Sequence, residues 1–167
     1  MTLEALNNLS EKEALEVLLK CCGSNHWATQ VNSNRPFQRT PALMEAADTA
    51  WAACGEQDYL EAFSHHPKIG DVKSLENKFA STAQWASGEQ KSVESASTST
   101  IEKLAELNEA YASKFGFIFI VCATGKSAKE MLELLKARIY NNYADELKIA
   151  AGEQHKITII RLNKLLS

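Results

Sequence analysis

The sequence predicts an all-α protein, a compact single-domain helical bundle with one short extended segment. Three observations predict it. Apolar residues recur at helical spacing along most of the 167 residues, helix-capping patterns precede several of these stretches, and only residues 117–123 have the composition of a strand. A chain of this length suits one domain and can bury about 70% of its unfolded surface without a disulfide or a metal.

Capping residues mark the helices in the first part of the chain. Ser10 and Glu13 form a capping-box pattern, in which each side chain accepts a hydrogen bond from the other residue's backbone N–H, and Gly23 follows as a stop signal. Residues 24–39 are polar, and we expect them to be irregular. Pro41 then opens another helix, because proline is favoured in the first helical turn.

The middle of the chain combines a short helix with a polar connection. A helix that starts near Asp58 should end at His66, because the residue before Pro67 is disfavoured in helical geometry. Residues 71–86 are predicted to be a polar connection with one or two short helices. Ser87 is a suitable N-cap for the helix that follows.

The last part of the chain returns to helical spacing on either side of the strand-like segment. The apolar pattern predicts helices that end at Gly116, begin after Ser127 and run through residues 144–166. Residues 117–123 are apolar, and no other segment could pair with them in a sheet. We therefore expect a short extended piece inside a helical core, whose backbone N–H and C=O groups need partners, a bound ligand being one possibility.

Composition argues against several classes of function. The net charge of −3 offers no electrostatic attraction for nucleic acid or for an anionic membrane, and the longest apolar run is too short to cross a bilayer. The first residues have neither the basic region nor the apolar core of a secretory signal, which favours a cytoplasmic protein. The four cysteines are expected to be buried, reduced thiols, and the four histidines are not spaced as helical zinc ligands, so no metal site is predicted.

His66 is the strongest candidate for a chemical role. A histidine before proline is most often a surface or structural residue, but Pro67 restricts the backbone on both sides of the bond and so aims the imidazole. Imidazole is the side chain best suited to proton transfer near neutral pH. The neighbouring His65 lacks this restriction and is interpreted as structural.

Two further charged residues each have a structural and a functional interpretation. Glu89 lies in the first turn of a predicted helix, where a carboxylate is stabilised by the helix dipole; an ionised carboxylate there could also orient a nearby imidazole. Arg161 lies on an otherwise apolar helical face. It could pair with a core carboxylate, or it could present its guanidinium to a substrate carboxylate or urea carbonyl.

Five short stretches occur in an order that is shared with one known family. They are, in chain order, residues 63–71 (FSHHPKIGD), 87–90 (SGEQ), 107–111 (LNEAY), 114–120 (KFGFIFI) and 161–166 (RLNKLL). In these motifs, and over nearly its whole length, the chain resembles the OHCU decarboxylase family of urate degradation. OHCU stands for 2-oxo-4-hydroxy-4-carboxy-5-ureidoimidazoline.

The resemblance implies one all-helical domain over residues 1–167 that needs no cofactor and forms a homodimer. It implies two catalytic groups, His66 and Glu89. The substrate-binding residues that it implies are Pro67, Ala86, Ser87, Gly88, Gln90, Phe119, Ile120, Val121, Cys122, Ala123 and Arg161.

The implied activity is decarboxylation of OHCU, a small-molecule substrate, to (S)-allantoin. The departing carboxylate lies beside a ring C=N bond that can take up the electrons, so the substrate supplies the electron sink that a cofactor would otherwise provide. His66 would handle the proton with help from Glu89, while Arg161 and the 119–123 backbone hold the ring. Two alternatives stay open: a helical protein-interaction module, or another cofactor-free lyase or isomerase acting on a small cyclic ureide.

Overall fold

The computed structural model describes residues 1–67 and 98–167, which form eight helices. These are α1 (Leu3–Asn8), α2 (Glu11–Cys21), α3 (Asn25–Ser33), α4 (Thr40–Ala52), α5 (Glu56–Ser64), α6 (Thr98–Phe115), α7 (Ala128–Arg138) and α8 (Tyr143–Leu165). Within these two ranges there is no strand, and the prediction of an all-α protein is confirmed. The predicted polar connection 71–86 and the helix start at Ser87 lie outside the described residues.

The chain divides into two compact units. The first unit comprises Met1–His66 and Leu147–Ser167, and the second comprises Pro67–Glu146. Helix α8 therefore begins in the second unit and contributes all but its first turn to the first. The single-domain organisation stays a prediction.

Helix α3 contradicts the expectation that residues 24–39 are irregular, which is wrong for most of this stretch. The Ser24 hydroxyl accepts a hydrogen bond from the Trp27 N–H at 3.1 Å and caps the helix. Trp27 and Val31 are fully buried, one turn apart, while most of the polar residues that suggested a loop face outward. The buried face packs against α2, α4 and α5, so α3 lies at the centre of the first unit.

The capping predictions for other helices are confirmed. Ser10 and Glu13 form the complete capping box at the start of α2, and the Ser127 hydroxyl accepts from the Glu130 N–H at the start of α7. Helix α6 ends at Gly116, whose φ of 78° lies in the left-handed region that glycine adopts without strain. Local polar patterns therefore determined these helix ends.

The cysteines behave as the sequence predicts. All four are free and buried. Burial raises the pKa of the Cys21 and Cys54 thiols to about 11, because a thiolate loses hydration in the protein interior. Among the described residues, no helix combines the length and the apolar character that crossing a membrane requires.

Candidate functional site

His66 lies at a fixed corner directly after α5. The backbone N–H groups of His65 and His66 donate to the carbonyls of Ala62 and Phe63, each at 3.2 Å, and close the last turn of the helix. Phe63 is buried in the core of the first unit and anchors this turn. The His66 imidazole itself is half-buried, so its position is defined while part of the ring remains accessible.

The His66 ring contacts helix α8 within the same unit. Its Nε2 lies 2.5 Å from Oε1 of Gln154, a fully buried residue. The Gln154 side-chain nitrogen lies 3.2 Å from the Thr158 hydroxyl, one helical turn further on, and that hydroxyl donates to the Gln154 backbone carbonyl at 3.0 Å. The candidate catalytic histidine is therefore joined to a polar chain buried in α8.

Arg161 lies on the same face of α8 as this polar chain. It follows Gln154 by seven residues, which is two helical turns and about 10 Å along the axis. Its Nη1 donates to the Cys21 carbonyl at 3.3 Å, at the end of α2. A guanidinium has five N–H donors, so a single long contact leaves capacity for a carboxylate or carbonyl ligand.

The Gly23 backbone explains the position of His65. A Cβ added at Gly23 would lie 2.5 Å from the Cγ of the His65 ring, so only glycine leaves room for this imidazole. The sequence identified Gly23 as a helix stop, but its close approach to His65 gives it a second role. The ring of His65 packs against the backbone, which agrees with the interpretation of this residue as structural.

In the second unit, the segment Phe119–Ala123 belongs to neither a helix nor a strand, which leaves room for the predicted extended piece. Ile120 and Cys122 are buried and their neighbours are half-buried, the alternation typical of an extended chain. The Ile120 carbonyl accepts from Nη1 of Arg138 at 2.7 Å, and the Cys122 carbonyl accepts from Nζ of Lys126 at 2.8 Å. Protein side chains therefore bind two of the backbone carbonyls for which the sequence analysis considered a bound ligand as a possible partner.

A buried ionic network holds this segment. Arg138 forms an ion pair with Glu146 at 2.6 Å, and Glu146 is completely buried. The Tyr111 hydroxyl donates to Glu146 Oε1 at 2.5 Å and Asn141 donates to Oε2 at 2.9 Å. Burial, reinforced by the hydrogen bond to Glu146, holds the pKa of Tyr111 well above its usual value. The guanidinium of Arg138 also lies over the Phe119 ring, 4.5 Å from its centroid.

The remaining predicted site residues lie outside the described ranges or are divided between the two units. Ala86, Ser87, Gly88, Glu89 and Gln90 lie outside the described residues, so the pairing of His66 with Glu89 stays a prediction. His66 and Arg161 belong to the first unit, whereas Pro67, which is exposed, and the segment 119–123 belong to the second. That all of them form one site also stays a prediction.

One side-chain cluster of the first unit has metal-ligand chemistry that sequence spacing did not reveal. Ligand atoms of His26, Cys54 and Asp58 lie within 4.8 Å of one another. The Asp58 carboxylate already accepts from the Gly55 N–H at 3.0 Å, as part of the α5 cap, and lies 3.1 Å from His26 Nδ1. The cap hydrogen bond is the main cause that lowers the pKa of Asp58. The Asp58 carboxylate is therefore already engaged by the helix cap and by the contact with His26.

Four residues with structural roles near the candidate site were missed by the sequence reasoning, namely Gln154, Thr158, Arg138 and Glu146. A signal existed for Gln154 and Thr158, since they are polar residues four apart on a helix face that also carries the apolar residues Ala150, Ala151 and Leu162. No comparable signal links Arg138 to Ile120, which is 18 residues away in another element.

Comparison with known proteins agrees with the motifs. A family model described as OHCU decarboxylase matches residues 7–163 of this chain. The uric acid degradation bifunctional protein TTL of Arabidopsis thaliana is 42% identical over 149 residues, which cover 88% of this chain and 45% of that protein. This chain therefore spans less than half the length of the Arabidopsis relative.

Two other relatives match at nearly full length on both sides. The 2-oxo-4-hydroxy-4-carboxy-5-ureidoimidazoline decarboxylase of Haloferax volcanii is 26% identical, with 100% of this chain and 97% of that protein covered. A crystal structure of an OHCU decarboxylase in the presence of (S)-allantoin is 38% identical, with a TM-score of 0.72, and the match covers 95% of this chain and 99% of that one. The family match over residues 7–163, together with the shared fold, shows that this chain belongs to the OHCU decarboxylase family.

Proposed function

We propose that this protein is a carboxy-lyase that converts OHCU to (S)-allantoin in urate degradation. Membership of the family supports the reaction class. The name of the Haloferax relative supplies the substrate, and the crystal structure of the related OHCU decarboxylase was determined in the presence of (S)-allantoin. The observation that carries the proposal is the His66 imidazole, which is half-buried and held at Nε2 by the buried Gln154.

His66 is the group that exchanges a proton with the reacting ring. Loss of CO2 pushes an electron pair into the adjacent C=N bond, and a proton must then be delivered to one face to give a single enantiomer. A general acid or base within hydrogen-bond reach of that position contributes about 10²–10⁴-fold to the rate. Glu89 assists by keeping the imidazole oriented and by favouring its charged form.

Arg161 binds the anionic or urea end of the substrate. Its side chain is half-buried, so charge-assisted hydrogen bonds from the guanidinium would be less screened than at an open surface. The segment Phe119–Ala123 contributes backbone donors. Within the second unit, no described residue accepts the N–H groups of Phe119, Ile120 or Val121, so these donors are available for ring oxygens. Pro67, Ala86, Ser87, Gly88 and Gln90 complete the binding residues of this proposal.

The proposal also includes the organisation of the protein. Residues 1–167 act as one OHCU decarboxylase domain, the protein is a cytoplasmic homodimer, and the reaction uses no cofactor. Static light scattering of the purified protein would test the dimer, with a mass of twice 18.5 kDa as the expected result.

The activity is tested by generating OHCU from urate in situ and following allantoin by circular dichroism. OHCU also decays to allantoin slowly without an enzyme, so chirality is as informative as rate. We expect this protein to accelerate allantoin formation and to give the (S) enantiomer alone. A racemic product at the uncatalysed rate would exclude the proposed activity and would favour a helical interaction module or an enzyme acting on another cyclic ureide.

A further inference from the structure

We propose that Gln154 and Thr158 are positioning residues that keep a proton on Nε2 of His66, so that Nδ1 is the nitrogen that exchanges protons during the reaction. The inference rests on the proposed function only in taking His66 as the acid–base group. It assigns the tautomer of this residue and names the groups that determine it.

The direction of the hydrogen bonds follows from Thr158. Its hydroxyl oxygen lies 3.0 Å from the backbone carbonyl of Gln154, and a carbonyl can only accept. The single hydroxyl proton of Thr158 is therefore used in this contact. A bond of this kind, from a threonine to the carbonyl four residues earlier, is common within helices.

The orientation of the Gln154 amide follows next. Its outer end lies 3.2 Å from Thr158 Oγ1, which must accept because its proton is committed elsewhere. The amide nitrogen therefore faces Thr158, and the amide oxygen faces the imidazole. The reversed amide would set an oxygen against the Thr158 oxygen with no proton between them.

The tautomer of His66 is then determined. Oε1 of Gln154 has no proton and lies 2.5 Å from Nε2 of His66, so this nitrogen must carry one. In the neutral imidazole the lone pair is consequently on Nδ1. In the imidazolium both nitrogens are protonated, and the Nε2 proton remains with Gln154. The proton that is gained and lost is the one on Nδ1.

Burial makes this arrangement stable. Gln154 and Thr158 are 0% and 1% exposed, so water cannot replace either partner if the amide turns over. The Cys22 side chain also forms a hydrogen bond with Thr158. Burial is the largest effect on the Cys22 thiol and raises its pKa, so Cys22 stays a neutral S–H that can donate to the Thr158 oxygen and leaves the hydroxyl proton with the Gln154 carbonyl. The charges that act on Cys22 are Arg161 on α8 and Glu61 on α5.

A direct measurement of the tautomer tests the inference without depending on activity. Protein with ¹⁵N-labelled histidine would be examined by NMR through the two-bond correlations of the ring nitrogens, above the pH at which His66 becomes neutral. We expect His66 to be wholly in the Nε2–H form. A dominant Nδ1–H form, or an exchanging mixture like that of the exposed His65 in the same sample, would overturn the assignment.

Two matched variants then test whether the tautomer matters for the reaction. Thr158→Val keeps the shape but removes the acceptor that orients the Gln154 amide, so the Nδ1–H form should become detectable. The value of kcat should fall in proportion to the remaining Nε2–H fraction, with KM within about twofold. Thr158→Ser restores the hydroxyl and should return both the NMR signals and kcat toward those of the natural protein.

The possible outcomes separate this inference from the proposed function. If Thr158→Val changes the tautomer and leaves kcat unchanged, the positioning role for the reaction is refuted while the tautomer assignment stands. If Thr158→Val does not fold, the measurement on the natural protein still decides the tautomer. An inactive protein with a pure Nε2–H histidine would refute the proposed function alone.

Discussion

Replacing Glu146 by glutamine tests the buried network that supports the segment 119–123. Both carboxylate oxygens of Glu146 accept from donors: Oε1 from Tyr111 and Arg138, and Oε2 from Asn141. A glutamine of the same size must turn its amide nitrogen toward at least one of these donors. The substitution therefore leaves the Arg138 charge without its counter-ion and sets two donors against each other.

The low exposure of the Arg138 and Glu146 side chains determines how much stability the substitution should cost. Arg138 and Glu146 are 9% and 0% exposed, so solvent screens their interaction very little. Breaking a buried pair by removing one partner costs about 3–5 kcal/mol. For a chain of this length 1 kcal/mol corresponds to about 2–4 °C in Tm, so Glu146→Gln should lower Tm by about 6–20 °C.

The assay is urea and thermal unfolding followed by circular dichroism, with a control on the neighbouring helix. Glu133 and Lys136 of α7 form a pair at 3.6 Å in which the side chains are 63% and 47% exposed. Glu133→Gln should therefore change the free energy of unfolding by less than about 1 kcal/mol. A loss for Glu146→Gln as small as that of the control would refute the reasoning.

A second readout tests whether this network supports the proposed substrate-binding segment. Arg138 donates to the Ile120 carbonyl and stacks on Phe119, so loss of its counter-ion should loosen the segment and raise KM under conditions where the variant is folded. Exchanging both charged residues for apolar ones, as in Arg138→Met with Glu146→Leu, should recover part of the stability, because no charge is left buried alone.

Gly23→Ala should lower the free energy of unfolding of the first unit by about 1–3 kcal/mol, because the new Cβ would lie 2.5 Å from the His65 ring. Gly152→Ala should raise it by about 0.5–1 kcal/mol, because this helical position has nothing within 4 Å of an added Cβ. Equal effects of the two substitutions in urea unfolding would contradict this prediction. The thiols of Cys21 and Cys54 should react with a disulfide reagent at pH 8 far more slowly in the native protein than after unfolding, because their pKa values of about 11 leave little thiolate. Their native reaction rates should rise only as pH approaches 11, and a thiol titration curve centred near the usual pKa would refute the burial argument.

Local signals in the sequence were sufficient for much of the helical framework. The capping boxes and terminal glycines act over three or four residues, and the sequence contains both partners of each interaction. Helix α3 was missed because it is short and its outward residues are polar; its stability comes from Trp27 and Val31, which pack against three other helices. Tertiary packing of this kind has no counterpart in a window of nearby residues.

In the candidate site, too, the sequence predicts local features but not contacts between distant residues. The proline after His66 and the apolar run before Gly125 marked two candidate segments in the sequence, and their roles stay predictions. One partner of His66 is Gln154, 88 residues away, and the ion pair of Arg138 depends on a helix start eight residues later. Contacts of this range are decided by the fold, so the sequence could point to His66 as a candidate side chain but not to the buried groups that contact it.

The most direct test of the proposed function compares His66→Ala with His65→Ala in the chiral assay. Both variants remove an imidazole from the same turn after α5, but only His66 contacts Gln154. We predict that His66→Ala remains folded and loses at least about 100-fold in the rate of (S)-allantoin formation, while His65→Ala stays close to the natural protein. A folded His66→Ala variant that forms (S)-allantoin at the natural rate would contradict the account.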